Sequence, residues 1–184
     1  MTQPSNSNDF VQTPQPNRSS NIFIWIMASL GCGCLGFIVL GIIAAIALPS
    51  FLNQANKARQ AEAKQYVAAI LRSQQAFRIE KPTFSNSLQE LQVGIRPETV
   101  NYSYKIVPQP DKSKSVIITA QAKRSGLKSY TGTVFAIKKG NDVTTVTVIC
   151  ESNLSTSTPP AAPKPPQGEN SLIECPSGSQ KISI

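Results

Sequence analysis

The residues of this chain best equipped for chemistry are four cysteines, in two pairs of different character. Cys150 and Cys175 stand in a polar C-terminal region and bracket a stretch of Ser, Thr and Pro. A disulfide that staples a loop in an oxidising compartment has this arrangement, and two free thiols in a reducing cytosol are the other reading. A closed loop of this length would stabilise the fold by about 3 kcal/mol in the chain-entropy description. Cys32 and Cys34 lie inside an apolar run, and their spacing of two would point them to different faces of a helix, which suits a shared metal poorly. The chain has no histidine, so the commonest general base and the commonest metal ligand are both missing. An enzyme would have to recruit Glu90, Glu98, Asp142 or Glu151 with Lys or Tyr partners, and none of these acids falls in a nucleophile, metal or phosphate motif. The expectation is no catalytic residue, no cofactor, no metal and no small-molecule substrate.

Eighteen Lys and Arg against ten Asp and Glu give a formal charge of +8. Only Arg18 and Asp9 precede Pro49, so the excess belongs to the C-terminal region. Such a balance suits anionic partners such as nucleic acid, lipid headgroups or acidic polysaccharide, or serves solubility alone. Lys123, Arg124 and Lys128 cluster near one turn and Lys138 and Lys139 near another, with Tyr130 between them. On one end of a sheet they would form an anion-binding rim, though without evident aromatic stacking platforms; the blander reading is basic turns that keep sheet ends soluble.

These groups need elements to position them. From Ile22 to Leu48 no residue is charged, and about 20 apolar residues suffice to cross a bilayer core, so residues 22–48 are expected to form a transmembrane helix. Ala45-Ile46-Ala47 has the form that signal peptidase reads, and Ser29-Leu30-Gly31-Cys32 that of a weak lipoprotein signal. The run is about twice as long as a signal's hydrophobic region, which favours a retained anchor. Gly41 and Ala45 make a small-xxx-small step for helix packing, and Pro49 sits where the helix leaves the bilayer, a place that tolerates it. Residues 1–21 form a polar tail expected to be disordered. The charge bias of Lys57, Arg59 and Lys64 over Arg18 would put the C-terminal region in the cytoplasm, whereas the second cysteine pair argues for an extracytoplasmic one.

Beyond Pro49 a head is expected over residues 49–154. Ala63, Val67, Ile70, Gln74 and Phe77, flanked by Tyr66 and Leu71, make a stripe at helical spacing over residues 50–80, and the helix should stop before Pro82. Thr83 to Ile95 reads as a short helix and loop, capped at Ser85 or Asn86. Val100 to Val107, Ser115 to Ala122, Tyr130 to Lys138 and Thr144 to Cys150 read as strands, with turns at Pro108 to Lys112, Ser125-Gly126 and Gly140-Asn141-Asp142. The implied fold class is α+β, a long N-terminal helix packed on a four-stranded antiparallel meander. Residues 155–184 form a Pro-rich loop and a disulfide-closed end, with Ser155 to Gln167 extended and mobile.

The stretch GIIAAIALPSFLNQANKARQAEAKQ, Gly41 to Gln65, resembles the junction in type IV pilins where the apolar half of the long helix passes into its amphipathic half. LQELQVGIRPETVNYSYKI and LKSYTGTVFAIKK, with Cys150-Glu151-Ser152, resemble the head of the cyanobacterial pilin-like G/H family. The resemblance covers most of the chain after Gly41. It implies a pilin-like fold and a single-pass protein of the plasma (inner) membrane, with its head outside the cytoplasm. It further implies a structural subunit, a minor pilin or pilin-derived protein, whose partners are other pilin-like subunits or the pilus or secretion machinery. An anchored head that binds DNA or polysaccharide without assembling is the alternative. Assembling pilins carry Gly-Phe at the prepilin peptidase site and a glutamate four residues after the Phe. In the register set by Pro49 these positions hold Met27, Ala28 and Cys32, and Gly36-Phe37 is followed at the glutamate position by Gly41. Without that carboxylate to neutralise a buried amine, the expectation is an uncut chain that contributes little to long filaments.

Overall fold

The computed structural model describes the backbone of residues 19–107, 109–167 and 172–183, and within these bounds the side chains of residues 41–43 and from residue 50 onward. The chain divides into two units, Met1–Ser50 and Phe51–Ile184. In the first, the backbone is helical from Ser19, where the helix α1 (Ser19–Glu80) begins; Ser19, Ser20 and Asn21, read from sequence as the end of a polar tail, are its first residues. The expected membrane segment, residues 22–48, lies within α1, but its side chains other than 41–43 are outside the described residues, as are those of Cys32, Cys34, Ala45 and Pro49. Gly41, Ile42 and Ile43 are exposed, and a Cβ on Gly41 would meet nothing within 4 Å. Among the described residues no helix is long and apolar enough to cross a membrane.

In the second unit, residues 51–80 of α1 lie on one face of an antiparallel sheet. Its strands are β1 (Tyr102–Val107), β2 (Ser115–Ala122), β3 (Tyr130–Lys139), β4 (Asp142–Ser152) and β5 (Ser179–Ile182), in that spatial order. The sheet therefore has five strands where sequence implied four. The fifth, Ser-Gln-Lys-Ile, is short and polar, without the β-branched alternation that marks the others, and it pairs only with Ile149 to Ser152. Gly140 and Asn141 join β3 to β4, and Gly140 takes φ 61, the left-handed conformation that a two-residue hairpin turn needs.

The helical stripe does what its spacing implies. Ala63, Val67, Ile70, Leu71 and Gln74 are fully or almost fully buried against Tyr102, Tyr104, Ile118, Ala120, Tyr130, Val134 and Ile149. Gln74, the polar member, is satisfied twice by one backbone segment: its Nε2 donates to the Ser85 carbonyl at 2.8 Å and its Oε1 accepts the Ser85 N–H at 3.0 Å. Gly132 lets the helix approach β3 closely, since a Cβ there would fall 2.7 Å from Val67 Cγ1 and 2.9 Å from Leu71 Cδ1.

One further expectation needs correction. Residues 83–95 form turns and no helix: the Ser85 hydroxyl does accept a backbone N–H, from Ser87 at 3.0 Å, and donates to Glu90 Oε2 at 2.6 Å, but Gln92 turns to φ 51. The cap chemistry is thus present without a helix to cap. The Pro-rich stretch has no regular structure, as expected, and hydrogen bonds join it to the sheet and the β2–β3 connection. Thr131 Oγ1 donates to the Pro160 carbonyl at 2.6 Å, Ser129 Oγ donates to the Thr156 carbonyl at 2.6 Å, the Thr156 N–H reaches Leu127 O at 3.0 Å, and Pro163 is buried. It covers the face of the sheet opposite α1, where Phe135, Val148, Cys150 and Ile173 form a second, smaller core closed by the Cys150–Cys175 disulfide.

Candidate functional site

A buried cluster of charge in the second unit is centred on Glu151. Strand alternation sends Val148 and Cys150 to the small core and Ile149 and Glu151 to the helix side. The Glu151 carboxylate is nearly inaccessible, and an ammonium reaches each of its oxygens: Lys64 of α1 at 2.7 Å and Lys128, just before β3, at 2.7 Å. Burial pushes the Glu151 pKa up, but hydrogen bonds from Lys128 and Lys64 and their charges outweigh it and hold the carboxyl below the usual glutamate range. A buried carboxylate with two cations is thereby stabilised as a charge, so it is poorly suited to act as an acid or a base near neutral pH.

Beside it runs a chain of tyrosine rings. Tyr66 to Tyr104, Tyr104 to Tyr102 and Tyr102 to Tyr130 have centroids 5.5, 6.2 and 6.1 Å apart, within the range of tilted aromatic pairs. Burial, followed by the nearby carboxylates Glu62 and Glu151, raises the Tyr102, Tyr104 and Tyr130 hydroxyls well above the ordinary phenol range. Tyr102 donates to the Lys128 carbonyl at 3.0 Å and Tyr130 to Gln60 Oε1 at 3.3 Å. All three phenols stay neutral, and those of Tyr102 and Tyr130 tie the sheet to turn and helix.

The acids named from sequence do not converge. Glu90 bonds Ser85, Glu98 pairs with Lys123 at 3.0 Å, Asp142 stands exposed opposite Lys139 at the β3–β4 turn, and only Glu151 is buried. The basic residues are divided too. Lys123, Arg124 and Lys128 flank the β2–β3 connection, whereas Lys138 and Lys139 end β3, a strand of ten residues that at about 3.3 Å per residue sets them roughly 30 Å away. They do not share one end of the sheet, Lys123 and Lys128 are each paired with an acid, and Tyr130 is fully buried between the groups. Among the described residues no group of three or more His, Cys, Asp or Glu could hold a metal ion.

Two cavities flank these groups. One, about 770 Å³, lies between the face opposite α1 and the Pro-rich stretch, with Ile117, Phe135, Ile137, Pro163 and Lys138 in its walls. The other, about 650 Å³, opens beside Glu151, with the side chains of Asn53, Asn56, Lys57, Gln60, Lys64 and Lys128 around it. Sequence reasoning used Lys57 and Lys64 in the charge bias across the apolar run and did not single out Asn53, Asn56 or Gln60. The signal available was their spacing, since Asn53, the Asn56-Lys57 pair, Gln60 and Lys64 recur every three or four residues along one side of the helix.

The family model described as "Type IV pilin-like G and H, putative" matches residues 60–176. Over 69 residues the chain is 36% identical to the type IV major pilin protein PilA of Myxococcus xanthus, a match that covers 37% of this chain and 30% of that protein. The match thus spans under a third of that relative's length. No solved structure matches the chain.

Proposed function

The chain belongs to the type IV pilin-like G and H family, and from that premise we propose that it is a membrane-anchored structural subunit, a minor pilin or pilin-derived protein that acts by packing against other pilin-like subunits or their machinery. The family is structural rather than enzymatic. The observation that carries the reading is α1, which runs from Ser19 to Glu80, is uncharged in sequence from Ile22 to Leu48, and over residues 63–74 buries an apolar stripe under an antiparallel sheet. An uncharged run of that length suits a bilayer, and the buried stripe holds the head to the anchor's continuation. The PilA relative is a major pilin; here Met27, Ala28 and Cys32 stand where an assembling pilin carries Gly, Phe and Glu, so the role proposed is an uncut anchor rather than a filament's bulk subunit. The polymer-binding alternative loses support from the separation of Lys123, Arg124 and Lys128 from Lys138 and Lys139.

Solubilising native membranes in mild detergent and identifying what co-purifies with the full chain tests the proposal. Other pilin-like subunits or pilus machinery are expected with it, and sheared filaments should hold far less of it than of a major subunit. A lone chain in detergent, or an abundant, tail-less chain in sheared filaments, would overturn it.

A further inference from the structure

The larger cavity, about 770 Å³, has the size and make-up of a small-ligand site, with mostly apolar walls and a few charged groups. Ile117, Phe135 and Ile137 of the sheet, Val143 at the start of β4, and Pro163 and Pro165 of the Pro-rich stretch supply the apolar part. The two prolines are held by packing. Thr131 fixes the Pro160 carbonyl, but residues 161–167 make no hydrogen bond among the described residues. That wall can adjust to the shape of a guest without breaking a polar contact.

The charges around the cavity do not balance. Arg78, Lys114 and Lys138 line it, and Asp111 is the only carboxylate among the described residues of its wall. Asp111 is already paired with Lys114 at 3.2 Å. Lys138 makes no ion pair among the described residues. Arg78 donates from Nη1 to the Lys81 carbonyl at a long 3.4 Å, and its Nε, shut off from solvent, has no acceptor. A sequestered N–H without an acceptor is costly, and a carboxylate laid along the guanidinium edge would supply one. Apolar walls alone would suit any hydrophobic guest, and the two unmatched cations select among them. We infer that this cavity binds a small amphiphilic carboxylate, an apolar ring or chain that ends in one acid group. Its body lies against Phe135, Ile137 and Pro163, and its carboxylate is held by Arg78 and Lys138. The cavity belongs wholly to the second unit, so the inference does not depend on how the chain is anchored.

The test titrates phenylbutyrate, phenylbutanol and butyrate against the full chain in phosphatidylcholine nanodiscs by ligand-observed NMR, with empty nanodiscs as the blank. A chain that entered no nanodisc would be titrated in buffer with the same expectations. Phenylbutyrate should bind about tenfold more tightly than either of the others, because phenylbutanol lacks the charge and butyrate lacks the apolar body. Lys138→Gln and Arg78→Gln should each weaken phenylbutyrate about fivefold, while phenylbutanol binds them as it binds the parent, which shows that the cavity is still formed. Lys139→Gln, next in the chain but outside the cavity wall, should leave all three affinities unchanged. Equal affinity for the acid and the alcohol, no loss with either Lys138→Gln or Arg78→Gln, or no binding of any of the three overturns the inference. A short peptide ending in Phe-Leu that binds through its free C-terminus far more tightly than phenylbutyrate would assign the cavity to a protein terminus and overturn the small-ligand assignment.

Discussion

The two faces of the sheet are built by different physics. The face under α1 is a periodic surface meeting a periodic surface: Val67, Ile70 and Leu71 on a helix, Tyr102, Tyr104, Ile118 and Val134 on alternating strand positions, tight enough at Gly132 that no side chain fits. The opposite face has no regular element to cover it. Phe135, Val148 and Ile173 are shielded by an irregular, Pro-rich segment held by a few hydrogen bonds to Thr131, Ser129 and Leu127 and by one disulfide. The first core therefore depends on shape complementarity, and the second on holding an irregular segment in place.

Mutations at each face should therefore fail in different ways. The largest effect is expected from Leu71→Ala, which empties a fully buried position of the helix-side core and should lower unfolding free energy by about 3 to 4 kcal/mol in denaturant titration; a cost below about 1 kcal/mol would mean that this face is not the dense one. Replacing both Cys150 and Cys175 with Ser should cost about 3 kcal/mol through the freed loop. Hydrogen exchange should then show the loss first in residues 155–167 and β5, with residues 63–74 the last to open. Uniform loss across both faces would break the comparison. Gly132→Ala should cost about 2 kcal/mol by overpacking, and somewhat less in a Leu71→Ala background, where one of the two obstructing side chains is gone and Val67 Cγ1 remains; full additivity would show that Val67 alone is the obstacle. The smallest effect is set by pH. Because the folded-state pKa of Glu151 is depressed, its contribution is present above the ordinary glutamate pKa and is lost as pH falls below that value through the lower folded one. Stability measured across this acidic window should fall more steeply for the parent than for Glu151→Gln, and identical slopes would refute the pairing.

What was legible in the sequence follows the same division. The helix-side core announces itself because Ala63, Val67, Ile70, Gln74 and the alternation of Tyr102, Tyr104 and Ile106 obey fixed periods, and even the polar Gln74 sits on the stripe. β5 gives no such sign, since Gln180 and Lys181 look like a solvated tail until Ile149 to Ser152 offer an open edge. The packing of residues 155–167 was illegible because proline content speaks of local stiffness and says nothing of where the carbonyls of Thr156 and Pro160 find donors. The Glu151 cluster was illegible because its two lysines lie far away along the chain, on a helix and in a turn, and only the folded register brings them to one carboxylate. Asn56 and Gln60 could have been noticed on the same helix side as Lys57 and Lys64, but only the fold shows that Arg59 and Tyr130 donate to their oxygens.

That the protein is an anchored, uncut, pilin-like subunit is tested most directly by the intact mass and N-terminus of the native protein recovered from carbonate-washed membranes. The chain is expected to stay in the membrane pellet with residues 22–48 retained and no cleavage after Met27, Gly36 or Ala47. A chain released by carbonate, or one whose N-terminus begins at Ala28, Phe37 or Leu48, would contradict it.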